Sequence, residues 1–591
     1  MIKTMKSRLF VTVLLAVLAL GVTTSCEDMF DIDSNRVAYD HKIDSSVDSV
    51  YSTLGVLQCV RKVADRYVIL GEARGDLAVI DEKRTETALR NLANFDFEAE
   101  NKYLNVRDYY AIINNCNYVL ANMDASLKLG NQYVLEDEYA AMLGIRAWTY
   151  LQLAINYGEV PYYTYPLISE SDIERAKAEE KRDIQFITAD LAPELISHLD
   201  VKLPSFVATT GSYPVLRLVL AELYLWSRDY VNAAKYYREY FMENPVEKLV
   251  VADGEERTLT HAEYISTLGG KFATWNGREP SVRVSASATV TEPAAAKKTE
   301  DYLAAITVSG ELSSEVRSLF LSGHLQPSPS WKSLSAKQWV FNVTDNGGTK
   351  SIKSTEKVGD MRRFAYLTEG VTMAPLDEVG ESEKLDLYTK HSNRIVFQRR
   401  SIACLRWAEA MNALAREQFP DAYAAGDSAR LAEARMNAMN AFYLLKDASQ
   451  VFFPEGSELR TEFENVFEKI QTSMYVGIHA RGAGDVYYDQ THYVLTPNRI
   501  AERLGIPGST VTFNDTIQYI DELIIDELAL ESTLEGNRFG DLIRFAERRE
   551  DWGEDGKDFL AGRVADRSGE RNDSLYKALS GSKDLWYLPF K

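Results

Sequence analysis

Residues 218–245 read LVLAELYLWSRDYVNAAKYYREYFMENP, and the spacing in this stretch decides the architecture. Leu220, Ala221 and Tyr224 recur at helical intervals. Ala233 and Tyr237 resume the period and Pro245 stops it. Alternating small and aromatic residues on two successive helices let the helices approach closely while rings fill the groove between them. The stretch predicts an antiparallel helix pair.

A related pair is expected in 405–445, where Ala408, Met411 and Ala415 precede Ala434, Ala438 and Tyr443 across an enlarged loop. The small–large spacing resembles the tetratricopeptide repeat, whose stacked pairs keep a long chain in one unit. Further helices are predicted over 47–68, over 108–120 with Tyr109, Ile112, Ile113, Cys116 and Leu120 inward, and over 138–157, where Gly158 and Pro161 terminate the pattern. From about 250 to 400 the character changes. Gly269-Gly270, Trp275-Asn276-Gly277, the alternation Ser281-Val282-Arg283-Val284-Ser285 and Gly347-Gly348 indicate loops with short strands. A second irregular stretch, 473–508, is rich in Gly and Tyr. The expected fold is mainly α: a tetratricopeptide-like helical scaffold with long irregular loops and a few short strands, in the manner of an α–α superhelix.

The N-terminus has its own layout. Lys3, Lys6 and Arg8 precede an apolar run, Leu9 to Val22, and Thr23-Thr24-Ser25 lead into Cys26. The run is too short for a spanning helix and reads as a signal peptide over 1–25. A cysteine at the cleavage point is similar to a bacterial lipoprotein signal, which implies lipidation of Cys26. Glu27 and Asp28, just after it, resemble the signal that sends some lipoproteins to the outer face of the outer membrane.

The chain of 591 residues carries a formal charge of −21, and loss of a leader with three basic and no acidic residues takes it to −24. Such a surface repels nucleic acid and anionic headgroups and suits neutral or cationic ligands. Beyond Cys26 the cysteines are Cys59, Cys116 and Cys404, widely spaced and set among apolar residues, which points to free thiols rather than a disulfide framework or zinc site.

The last long helix carries Ile524-Ile525-Asp526-Glu527-Leu528-Ala529-Leu530-Glu531, followed by Leu534-Glu535-Gly536-Asn537-Arg538-Phe539-Gly540-Asp541-Leu542-Ile543-Arg544. Glu527, Glu531 and Glu535 are four apart, and Arg538, Asp541 and Arg544 follow at threes beyond Gly536. By itself this is an ion-pair network at a helix corner. As a pattern, "EL…EG.R..DLIR" resembles the SusD/RagB family of outer-membrane nutrient-binding lipoproteins. Arg146-Ala147-Trp148-Thr149-Tyr150-Leu151-Gln152-Leu153 through Tyr157-Gly158-Glu159-Val160-Pro161 is similar to that family's "RA..Y..L...YG.VP". Leu405-Arg406-Trp407-Ala408-Glu409 resembles its "LR.AE", Asp360-Met361-Arg362 its "D.R", and Glu72-Ala73-Arg74-Gly75-Asp76 its early "E.RGD" turn. Under this resemblance, residues 26–250 form the N-terminal helical part and 251–591 a C-terminal part with the loop-rich ligand region, integrated with the first. Arg146, Arg406, Glu409, Glu535, Arg538 and Asp541 are then structural motif residues.

The resemblance implies a lipid-anchored protein facing the cell exterior. It would capture an oligosaccharide and deliver it to a SusC-type TonB-dependent transporter, without catalysis, cofactor or metal. Sugar binding uses aromatic faces flanked by polar side chains. Trp275 with Asn276 and Arg278, Trp331, Trp339, and Tyr487 with Tyr488 are the loop candidates, whereas Trp148, Trp226 and Trp407 lie on helical faces and belong to the core. Two other readings stay open. In a surface glycoside hydrolase, Glu531 and Glu535 would be the acid–base pair; a peptide- or protein-binding scaffold would need no sugar pocket. No serine nucleophile elbow or His-Glu-x-x-His pattern is present, and Asp551 to Gly556 begins like a calcium loop without completing one.

Overall fold

The computed structural model describes residues 43, 46–97, 100–204, 211–244, 249–250, 256–257, 302–307, 315–336, 341–346, 349–354, 366–376, 381–388, 394–445 and 495–590. These residues are mainly helical, and the strands form two-stranded antiparallel ribbons. Two compact units divide the chain, each discontinuous in sequence. One holds residues up to Val63, Phe97–Pro204 and Tyr587–Lys591; the other holds Ala64–Asp96 and Ser205–Trp586. Residue 250 is not a boundary of either.

In the first unit, helix Arg107–Asn122 packs on Glu136–Tyr157, which packs in turn on Ile184–Ile196. Glu136–Tyr157 is buried almost all round and ends at Gly158, whose φ of +73° closes the helix in a conformation that side-chain-bearing residues avoid. Buried tyrosines satisfy their hydroxyls on the backbone beyond that stop: Tyr110 Oη donates to the Pro161 carbonyl at 2.8 Å and Tyr150 Oη to that of Tyr163 at 2.6 Å.

In the second unit, the pair predicted at 218–245 is Leu216–Trp226 and Tyr230–Glu243. Ala221 and Ala233 are fully buried, which permits close approach, and Tyr224 stacks on Tyr236 at 5.7 Å. Tyr230–Glu243 continues onto the helix Arg400–Ala425, where Phe241 stacks on Trp407 at 5.6 Å. Trp148, Trp226 and Trp407 are all buried, as their helical faces predict.

The second predicted pair differs at its connection. Instead of an enlarged loop, Arg400–Ala425 runs to Gly426, left-handed at φ +63°, and Ser428–Leu445 starts two residues later, with Asp427 accepting from the Ala429 and Arg430 amides. The extra residues are alanine-rich and extend the helix. A similar correction applies within 473–508, where Pro497–Leu504 is helical. Thr496 caps it, Pro497 opens it and Gly505 closes it at φ +67°.

Cys116 and Cys404 are buried free thiols and Cys59 is partly exposed. Burial pushes the Cys116 thiol well above its ordinary range, so it is inert packing. No helix among the described residues is long and apolar enough to cross a membrane.

Candidate functional site

Helix Phe513–Glu531 is started by a capping box, Thr512 with Asp515, and ends at Ser532. The chain then turns sharply through Leu534 (φ +63°) and Gly536 (φ +82°) into helix Arg538–Asp551. This corner meets the early Gly71–Asp76 segment at backbone distance. The Gly536 amide donates to Glu72 Oε1 at 2.8 Å, and a Cβ built on Gly71 would stand 1.9 Å from the Gly536 carbonyl oxygen. A side chain at either glycine would prevent the contact.

Charges ring this corner. Arg538, fully buried, pairs with Asp76 through Nε (2.5 Å) and Nη2 (2.8 Å), and gives Nη1 to the Ile525 carbonyl at 2.9 Å. Burial pushes the Asp76 carboxyl up, but the Arg538 guanidinium beside it outweighs burial, and the group sits below the usual carboxylate range. Arg399 bridges Glu531 and Glu535. Arg406 pairs with Glu222 and donates to Asn537 Oδ1 at 2.8 Å. Glu409 accepts three charged bonds, two from Arg544 at 2.7 Å and one from Arg548 at 2.6 Å. Arg544 also reaches Asp541 at 2.8 Å, and Arg548 reaches Asp521 at 2.6 Å. In the first unit, Arg146 is buried and joins Asn117 (3.1 Å) and Glu194 (2.8 Å).

All six motif residues thus hold other protein groups. Glu531 and Glu535, the acid–base pair of the hydrolase reading, are both buried and share one guanidinium, Arg399, so neither is presented to a substrate. The cavity beside them, lined by residues that include Glu222, Arg399, Arg406 and Asn537, holds about 10 Å³. That is room for about one water molecule and none for a sugar ring.

Among the ligand candidates, Trp331 is corrected by the structure. It is 0 % exposed, donates Nε1 to Thr533 Oγ1 at 3.0 Å and packs edge-on against Tyr388. Ser328 and Pro329 start a short helix there, and the helix turns the tryptophan inward instead of leaving it in a loop. Trp275, Asn276, Arg278, Trp339, Tyr487, Tyr488 and Cys26 lie outside the described residues. The acids of the calcium-like segment are engaged: Asp551 with Arg228 at 2.6 Å, Glu554 with Arg416 at 2.9 Å, and Asp555 as cap of the next helix. Among the described residues, no group of three or more His, Cys, Asp or Glu side chains could hold a metal ion.

Sequence reasoning missed Asp76, Glu222, Arg399, Asp521 and Arg548 as partners. Glu222, Asp521 and Arg548 did carry a signal, each a charge on the apolar stripe of its helix; Arg399 carried none.

Residues 495–589 match the SusD family model. No curated protein matches the chain. Among solved structures, it is similar to a SusD superfamily protein from Bacteroides thetaiotaomicron VPI-5482, at 14 % identity over 93 % of this chain and 95 % of that one, with a TM-score of 0.48. Similarity extends to a SusD superfamily protein from Bacteroides vulgatus ATCC 8482 (14 %; 92 % and 96 %; TM-score 0.48). It also extends to a laminarin-binding SusD-like protein (14 %; 91 % and 96 %; TM-score 0.45). At these values the likeness bears on neither ligand nor partner.

Proposed function

From the match of residues 495–589 to the SusD family model, we propose that this is a SusD-like chain and a cell-surface nutrient-binding lipoprotein. In this reading Cys26 carries the lipid, and the soluble body captures an oligosaccharide and passes it to a SusC-type TonB-dependent transporter in the outer membrane. The carrying observation is the match over 495–589, a segment that contains Glu535, Arg538 and Asp541. The leader before Cys26 and the acids Glu27 and Asp28 support the location. The reading needs no chemistry: ligand is bound and released. Anchoring confines the protein to the membrane plane and raises its effective concentration at the transporter mouth.

Trp275, flanked by Asn276 and Arg278, is the first candidate for the sugar-stacking ring, followed by Trp339 and the Tyr487–Tyr488 pair. A stacked aromatic contact contributes on the order of 1–2 kcal/mol, so Trp275→Ala should weaken binding about tenfold. Titration calorimetry of the mature chain against a glycan panel is the test. Binding of at least one oligosaccharide is expected, and failure with every glycan would overturn the reading in favour of a peptide- or protein-binding scaffold. Cys26→Ala should release the protein from the membrane fraction; unchanged association would remove the anchor.

A further inference from the structure

The helix Arg400–Ala425 ends in an arrangement that the core does not require. Tyr423, one turn from the Gly426 stop, is 71 % exposed. Its ring stacks on Phe419 with centroids 5.8 Å apart and planes at 29°. Phe419 in turn leans on Phe513, at the start of Phe513–Glu531, with centroids 4.7 Å apart. Phe419 and Phe513 are half-buried and form a base, and Tyr423 lies on that base with one face open to solvent.

One guanidinium stands at the base of the stack. Arg435 reaches over the Phe513 ring at 6.0 Å. The patch is small. Tyr423 is the one large hydrophobic residue with an exposed side chain in the described parts of 394–445 and 495–590. Protein interfaces bury several hundred Å² per side around apolar anchors, far more than this patch offers. One open aromatic face, backed by a second ring, instead matches a single sugar ring, whose C–H face is apolar.

We propose that Tyr423, held by Phe419 and Phe513, is a stacking platform for one neutral pyranose unit of a glycan chain, additional to the candidates in the loops. The proposal rests on the glycan-binding reading above. Because the Phe419 contact already restricts the Tyr423 ring, ordering it on binding costs little, which favours even a single-ring contact. A chain that also engages another site on the protein would gain from the platform through effective concentration, so the contribution grows with chain length.

Affinity electrophoresis in native gels cast with neutral polysaccharides (amylopectin, glucomannan, xylan and dextran) tests this directly. For a polysaccharide that retards the wild type, Tyr423→Ala should raise the dissociation constant three- to tenfold, whereas Tyr423→Phe, which keeps the ring, should stay within twofold. The melting temperature of Tyr423→Ala should match that of the wild type, which separates a ligand contact from a structural one. Retardation of Tyr423→Ala equal to wild type in every gel that retards the wild type would overturn the platform and leave the glycan-binding reading intact. Wild-type mobility unchanged in all gels, with no heat in calorimetry against oligosaccharides, would overturn both.

Discussion

Replacing Asp76 with alanine isolates the contact between the early turn and the C-terminal corner. The substitution removes the only carboxylate that Arg538 meets among the described residues, leaving a fully buried guanidinium with the Ile525 carbonyl as its remaining acceptor. Breaking a buried pair by removing one partner costs about 3–5 kcal/mol, because the surviving charge is left uncompensated. The unit concerned has roughly 400 residues and an unfolding entropy of about 0.9 kcal/mol/K, so the melting temperature should fall by about 3–6 °C. The double variant Asp76→Leu/Arg538→Met removes both charges and should recover most of the loss, since a well-packed apolar pair can replace a buried ion pair at little cost. Calorimetry of wild type, both single variants and the double variant closes the cycle. A single variant as stable as wild type, or a double variant no better than the sum of the singles, would refute the buried-pair reasoning.

Gly536→Ala should destabilise the fold, since a Cβ there meets the Tyr67 carbonyl oxygen at 2.7 Å in a left-handed backbone conformation; Gly71→Ala should be worse, with 1.9 Å to the Gly536 oxygen, and urea midpoints would rank the two. Glu522 gives a pH test. Burial raises its carboxyl, but Arg563, Arg549 and Arg503 outweigh that and hold it at about 2. Its folded value lies below its ordinary 4.5, so its contribution, about 3 kcal/mol, is complete above pH 4.5 and is lost as pH falls towards 2. Glu522→Gln should therefore flatten the acid limb of stability against pH in urea melts between pH 7 and 2.5; an unchanged limb would remove Glu522 from the acid response.

The helices were legible because their signals are local. The apolar period of 108–120, the stop at Gly158 and the alanine–tyrosine alternation of 218–243 each depend on neighbours within a few residues. The motif residues were also visible as a charged stripe, but their partners were not. Nothing near Arg399 says that it will bridge Glu531 and Glu535, or near Glu222 that it will meet Arg406, because those pairings are set by how helices stack. Trp331 shows the same limit from the other side. Its neighbours Ser328, Pro329 and Ser330 read as a loop, yet Ser328 caps a helix of seven residues that carries the ring inward to Thr533, about two hundred positions away in sequence.

The meeting of Glu72 with Gly536 spans 464 residues of sequence. During synthesis, residues 71–76 emerge long before the corner at 536–538 is made, and only that corner brings the Arg538 guanidinium to Asp76 and the Gly536 amide to Glu72. The second unit therefore completes late, after nearly the whole chain is available, as expected where contacts of high sequence separation dominate. A truncated chain ending before residue 536 leaves Asp76 without Arg538 and Glu72 without the Gly536 amide, and should be open to proteases around residues 71–76. The corner acts in this way as a checkpoint: only a chain that extends through residue 538 can lock.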